Sequence, residues 1–201
     1  MKIIGLTGGI ASGKSTVTET LQRLGAYIID TDKVAHDCMK PGASAWKKLV
    51  DTFGKEILKQ NQEIDRKYLG KIVFNQPEKL KQLDALMHPV VLEETRRRVQ
   101  EIAEKEPDSV IVEEIPLLYE IHLEEKQHFD EIWVVWVDRE CQIERLMHRD
   151  QCSRKEAEQR LAAQMPLDEK AGRAQRVIDN MGSREHAVEQ TEQYFVLFQK
   201  K

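Results

Sequence analysis

Long apolar runs are scarce in this 201-residue chain. The longest uninterrupted one, residues 132–137, falls well short of the ~20 residues that a helix needs to cross a bilayer, so no membrane span is expected. The N-terminus, Met1-Lys2-Ile3-Ile4-Gly5-Leu6, has neither the extended apolar stretch nor the small-residue cleavage site of a secretory signal, and a cytoplasmic location is the expectation. Cysteine is rare as well. Cys38, Cys141 and Cys152 are odd in number and lack C-x-x-C spacing, which argues against a disulfide framework and a zinc site and leaves reduced thiols as the expected state. A surplus of positive charge is missing too: 31 lysines and arginines face 35 aspartates and glutamates, a formal net charge of -4. A general nucleic-acid binder needs a basic face to neutralise phosphates, so that class is disfavoured. The chain also lacks internal repeats, low-complexity tracts and Gly/Ser linkers, and its parts are expected to fold around one sheet rather than as beads.

What is present is an ordinary globular composition, 40% hydrophobic beside 33% charged residues, in a chain long enough to bury a sizeable core. Five segments dominated by β-branched and aromatic residues read as buried strands: residues 3–6, 27–29, 110–112, 132–137 and the short pair 177–178. Helical periodicity lies between them. Val17, Leu21 and Leu24 mark one apolar helix face, and Gly25 supplies its stop. Strands alternating with helices imply an α/β fold, a parallel sheet covered on both faces by right-handed crossovers. Two stretches exceed an ordinary crossover. About 75 residues separate Asp32 from the strand at Val110, where a helix plus ~2–6 residues is usual, so residues 33–107 read as an inserted helical subdomain. A second insertion, residues 139–172, is charged, helical in pattern and flap-like. The sheet core is then assigned to residues 1–32, 108–138 and 173–201.

Gly8-Gly9-Ile10-Ala11-Ser12-Gly13-Lys14-Ser15 satisfies G-x-x-x-x-G-K-[ST] between an expected strand and an expected helix, the context that the phosphate-cradling loop requires. The glycines let backbone N–H groups converge on phosphate oxygens while the following helix points its positive end at the same anion. Lys14 adds a point charge toward the β and γ phosphates, and the Ser15 hydroxyl is the expected Mg²⁺ ligand. Gly8, Gly9, Ala11, Ser12, Gly13, Lys14, Ser15 and Thr16 are therefore the candidate nucleotide site. No N-K-x-D or T-K-x-D tetrapeptide occurs, so ATP is a better donor than GTP. The bland alternative is a Gly-rich turn that binds nothing.

Asp30-Thr31-Asp32 closes the strand at 27–29 and, in a parallel sheet, emerges at the same carboxyl edge as the phosphate loop. Phosphoryl transfer to an alcohol benefits from an aspartate that accepts the hydroxyl proton and aims the oxygen, and Asp32 is the candidate. The alternative is that Asp32 caps a helix beginning near Lys33. Asp30 either holds a metal-bound water or fixes the loop. Arg145 and Arg149 share a helix face at i, i+4, with Arg139, Arg154 and Arg160 in the same insertion. Such a face suits a cationic lid that covers a triphosphate and excludes water, or else a solvated helix paired with Glu144, Glu156 and Glu158. Arg96-Arg97-Arg98 reads as an exposed helix face, with His88-Pro89 just ahead of that helix and His88 more structural than catalytic. Trp133 and Trp136 read as packing residues.

Taken in order, these residues resemble one family, bacterial dephospho-CoA kinase. The marks are Gly5-Leu6-Thr7-Gly8-Gly9-Ile10, Asp30-x-Asp32 followed by Ala35-His36, Phe53-Gly54 with Ile64-Asp65-Arg66, Leu69-Gly70 with Val73-Phe74, and His88-Pro89. Pro116-Leu117-Leu118-Tyr119-Glu120, Arg145-Leu146 with Arg149-Asp150, and Val177-Ile178-Asp179-Asn180 with Gly182 complete the series. The resemblance implies transfer of the ATP γ-phosphoryl to the ribose 3′-hydroxyl of dephospho-CoA, giving CoA and ADP, on a five-stranded parallel core of the P-loop, nucleoside monophosphate kinase type. It also implies that residues 33–107 bind the acceptor, with Arg66 and His88 as substrate contacts, that residues 139–172 form the lid, and that the segment at Asn180 to Gly182 approaches adenine. No nucleic-acid or membrane partner follows, and a monomer or weak homo-oligomer is expected. Ala11 stands where many members carry glycine, which is tolerable with ordinary dihedrals, and Thr31 replaces a small residue. Glu114 stands in place of aspartate and Gln175 in a position often acidic, and no role is assigned to either. The alternatives are another small-molecule or nucleoside monophosphate kinase, or an ATP-binding switch without catalysis.

Overall fold

The computed structural model describes residues 1–74 and 76–200, with Phe74 described in its backbone alone, so the second side chain of the Val73-Phe74 pair lies outside the described residues. The strands are β1 (Lys2–Gly8), β2 (Tyr27–Asp30), β3 (Val110–Glu114), β4 (Glu131–Trp136) and β5 (Arg176–Asp179). The helices are α1 (Lys14–Arg23), α2 (Thr31–Cys38), α3 (Trp46–Phe53), α4 (Arg66–Phe74), α5 (Pro77–Lys105), α6 (Leu123–Lys126), α7 (Arg139–Asp150), α8 (Arg154–Ala162), α9 (Leu167–Arg173) and α10 (Arg184–Gln199). All five expected strands are present, and most run a residue or two beyond their apolar cores because the ladder continues onto polar ends such as Glu113, Glu114 and Glu131.

The strands form one parallel sheet in the order β2-β3-β1-β4-β5. Leu6 of β1 lies opposite both Glu114 of β3 and Trp133 of β4, so these strands deliver their carboxyl ends to one edge. Ligands of open α/β sheets bind at that edge. The chain divides into two compact units, residues 1–29 with 102–201 and residues 30–101.

The first unit contains the sheet. Ile4, Leu6, Val17, Leu21, Trp133, Phe195 and Phe198 are buried together under α1 and α10. Trp133 meets Tyr194 and Phe198 edge-on, with centroids 6.0 and 6.1 Å apart, an arrangement that adds ~0.5–1.5 kcal/mol per pair beyond buried area. α1 stops as expected: Gly25 N–H donates to Gln22 O and Ala26 N–H to Leu21 O, the paired bonds of a Schellman ending. On β4, Glu131 is buried and accepts from Trp133 Nε1 at 2.8 Å and Arg176 Nε at 3.2 Å, so its charge is shared across β4 and β5. α9 packs on β4 and carries Lys170, which is fully buried, with Nζ 2.8 Å from Glu120 Oε1 and 2.9 Å from Pro116 O. Burial pushes the Lys170 amine down, and the Glu120 carboxylate opposes it.

The second unit is helical. α3 and α4 pack on a short 3-10 turn, Lys55–Ile57, and Val34, Leu49, Ile57, Ile64 and Leu69 are buried. His88 and Pro89 do not precede α5; both lie inside it. Proline removes one helical hydrogen bond, but buried Met87, Val90, Thr95 and Val99 on either side of it carry the helix through. Arg98 of α5 reaches Asp37 of α2 at 2.9 Å and Glu94 one turn back at 2.9 Å. Lys40 and then Arg98 hold the Asp37 carboxyl at about 2, and Arg97 with Arg98 holds Glu94 at about 2.

Candidate functional site

At the carboxyl edge of β1 the chain turns at Gly8 and enters α1 at Lys14. Two backbone bonds between residues three apart brace the turn, Ser12 N–H to Gly9 O at 3.3 Å and Thr16 N–H to Gly13 O at 3.2 Å. Gly13 takes φ 87 as the helix N-cap, and a Cβ there would overlap the side-chain nitrogen of Asn180. Both the left-handed backbone and the close approach require glycine. Ala11 also has a left-handed backbone, φ 59. The condition under which alanine is easily tolerated here, ordinary dihedrals, is therefore not met, and the conformation costs ~1–2 kcal/mol for a residue with a Cβ.

Asn180, just after β5, organises the floor. It is buried, donates from Nδ2 to Ser12 O at 2.8 Å and from its N–H to Trp136 O at 2.9 Å, and accepts Arg145 Nη2 on its carbonyl at 2.8 Å. The Asn180 to Gly182 segment therefore borders the phosphate loop. Ser12 Oγ is buried and has no hydrogen-bond partner, an orphaned polar atom within the loop. Lys14 Nζ bridges back to Gly9 O at 3.4 Å.

These groups line one cleft of about 540 Å³, in which Gly9 and residues 11–16 face Arg145, Arg149, Glu114 and Asn180. Gly8 lies beneath, as the last residue of β1. The arginines of residues 139–172 have different surroundings. Arg145 and Arg149 reach the cleft; Arg154 pairs with Glu140 and Glu158, Arg160 pairs with Asp150, and Arg139 lines another hollow. Arg145 and Arg149 thus face the phosphate loop, while Arg149, Arg154 and Arg160 are salt-bridged through Asp150, Glu140 and Glu158. Glu114, given no role from sequence, ends β3 in this cleft and accepts from Thr18 Oγ1 at 3.1 Å. Its place at a strand end beside the phosphate loop is the signal that sequence reasoning passed over. The Ser15 hydroxyl and the Glu114 carboxylate are hard oxygen donors lining one cleft, a set that suits Mg²⁺.

The remaining candidates belong to residues 30–101. Asp30, not Asp32, caps α2: its side chain accepts from Asp32 N–H at 3.0 Å and Lys33 N–H at 3.1 Å. Asp32 is the second residue of α2, in its first turn. Arg66 begins α4 and lines a cleft of about 490 Å³ with His36, Lys40, Lys59 and Lys67. His88 is exposed on α5 and does not line it. Arg97 pairs with Glu94 and Glu101, and Arg98 with Glu94 and Asp37, which spends both on structure. Among the described residues no helix is long and apolar enough to cross a membrane.

The family model for dephospho-CoA kinase matches residues 2–186. The dephospho-CoA kinase of Carboxydothermus hydrogenoformans is 51% identical over 190 residues, covering 94% of this chain and 91% of the relative. A crystal structure from Thermus thermophilus superposes with TM-score 0.80 at 34% identity, covering 98% of this chain and 97% of that one. The dephospho-CoA kinase from Campylobacter jejuni superposes with TM-score 0.68 at 29% identity, covering 100% and 98%.

Proposed function

The chain belongs to the dephospho-CoA kinase family, and on that premise we propose how its own residues move the ATP γ-phosphoryl group to the 3′-hydroxyl of dephospho-CoA. The observation that carries the reading is the single cleft in which the phosphate loop meets Arg145 and Arg149. Loop amides and the positive end of α1 hold the triphosphate, and Lys14 sets its charge against the β and γ phosphates. Arg145 and Arg149 cover the transferring group, neutralise charge that spreads over its oxygens, and keep water from competing as acceptor. Ser15 and Glu114 would hold Mg²⁺, which supplies Lewis-acid neutralisation of the phosphate oxygens when bound.

Asp32 is proposed to accept the proton of the acceptor hydroxyl and to aim that oxygen in line. Support comes from its place immediately after β2 in a parallel sheet. Residues 33–107 are proposed as the acceptor-binding region, where the basic cleft around Arg66 suits the phosphates of the acceptor. A cytoplasmic location belongs to the same proposal.

The test is coupled ADP release with dephospho-CoA, AMP, CMP and shikimate offered as acceptors. Turnover is expected with dephospho-CoA alone, and turnover with another of the four instead would reassign the acceptor. Asp32→Asn should lower kcat by ~100-fold or more while ATP affinity survives. A near-wild-type rate would remove Asp32 from the chemistry.

A further inference from the structure

Ile10, at the crown of the phosphate loop, is held by two side chains from residues 139–172. Its N–H donates to Gln164 Oε1 and its C=O accepts from Gln142 Nε2, both at 2.8 Å. Gln142 is buried, and a Cβ on Gly9 would overlap its Nε2, so loop and side chain have closed on one another. Both polar groups of the Ile10 peptide are thereby turned sideways, and Ile10 is not among the residues lining the cleft, although its neighbours Gly9 and Ala11 are. The next residue, Ala11, carries the left-handed backbone. The Ile10 and Ala11 side chains pack against the buried Ile143, Leu146 and Ala157 of α7 and α8. Gln142, Arg145 and Arg149 fall at i, i+3 and i+7, on one face of α7.

We propose that Gln142 and Gln164 are positioning residues for the phosphoryl donor: they pin the Ile10 peptide, hold the strained Ala11 turn in its binding shape, and keep Arg145 and Arg149 in register with the loop. Neither side chain touches the reacting atoms. A neutral amide suits the task, because it supplies the donor that Ile10 O needs and the acceptor that Ile10 N–H needs without changing the charge beside a polyanion. A glutamate at 142 could not donate. The inference rests on the ATP reading of the cleft given above.

The experiment measures KM for ATP, KM for dephospho-CoA, kcat and Tm in Gln142→Met, Gln164→Met, Ala11→Gly and the double variant Ala11→Gly/Gln142→Met. Each glutamine variant is expected to raise KM for ATP about 5- to 10-fold, the effect of one lost hydrogen bond on the loop, while KM for dephospho-CoA stays within about twofold. Glycine adopts the left-handed turn unaided, so the double variant should recover most of the ATP affinity lost in Gln142→Met. A merely structural role for Gln142 would lower Tm without that rescue. The proposal is overturned if both KM values rise together, if KM for ATP is unchanged in both glutamine variants, or if the double variant binds ATP no better than Gln142→Met. Should Gln142→Met not fold, Gln164→Met decides, since Gln164 is only half-buried. Dissociation constants for a fluorescent ATP analogue, read in parallel, keep the test independent of turnover on the acceptor.

Discussion

Arg145 donates to the carbonyl of Asn180 and pairs with no carboxylate among the described residues, whereas Asp150 takes both Nε and Nη2 of Arg149, at 2.7 and 3.1 Å. A guanidinium already matched by a carboxylate has less to give a phosphate. Arg145→Met is therefore expected to lower kcat by about 100-fold, and Arg149→Met by a smaller factor, in steady-state assays at saturating substrates. Equal losses would show that Asp150 releases Arg149 when nucleotide binds. At this scale the sequence was informative where chemistry and backbone geometry share one short motif. Lys14, Ser15 and Gly13 announce themselves because spacing alone builds the loop. Gln142 and Gln164 do not, because a glutamine in a charged segment looks like solvated surface until tertiary structure carries it against a peptide group far away in the chain; Asn180 was marked only through the family resemblance. The Ala11 backbone was not legible for the same reason: nothing local forces φ 59, and packing against α7 and α8 accompanies it.

Among elements, α2 and α5 are tied through Arg98, and that tie has a pH signature. Asp37 and Glu94 both sit at about 2, below their ordinary values of 3.8 and 4.5, because they face Lys40, Arg97 and Arg98. Both carboxyls bind protons more readily unfolded than folded, so their contribution is complete above about pH 5 and is lost as pH falls toward 2. Thermal melting between pH 5 and 2.5 is expected to show that acid loss, and Arg98→Met should make it shallower by removing the shared cation. An unchanged slope would assign the acid limb to other groups. The strands were legible because runs of β-branched and aromatic residues have one physical use in a parallel sheet. Their polar ends were not, since the ladder continues wherever a neighbour supplies partners. Nor was α5: a proline ordinarily breaks a helix interior, and only the apolar contacts on both sides of Pro89 keep this one continuous.

Over the whole molecule, ligand binding should register as stability. Mg-ATP at about 100 times its Kd stabilises the folded chain by ~2.7 kcal/mol, which for a chain of this length corresponds to a rise in Tm of about 5–10 °C. Lys14→Ala should abolish most of that rise, as read by calorimetry with and without nucleotide, and a full-sized shift in the variant would remove Lys14 from the phosphate site. The α/β class and the phosphate loop could be read from residue order alone, while the grouping of residues 139–172 with the sheet-bearing unit could not, because it depends on buried ties invisible in a charged segment. One of those ties limits what the segment can do. Lys170 is sealed against Glu120 and Pro116, and Arg173 is paired with Glu124 on the same stretch. Arg154–Glu140 and Arg160–Asp150 meanwhile link α7 to α8 at the surface, over the buried Ile143, Leu146 and Ala157. Moving α7 away from the phosphate loop would break the Gln142 and Gln164 bonds to Ile10 as well, so Arg145 and Arg149 are preorganised beside the loop rather than free to swing.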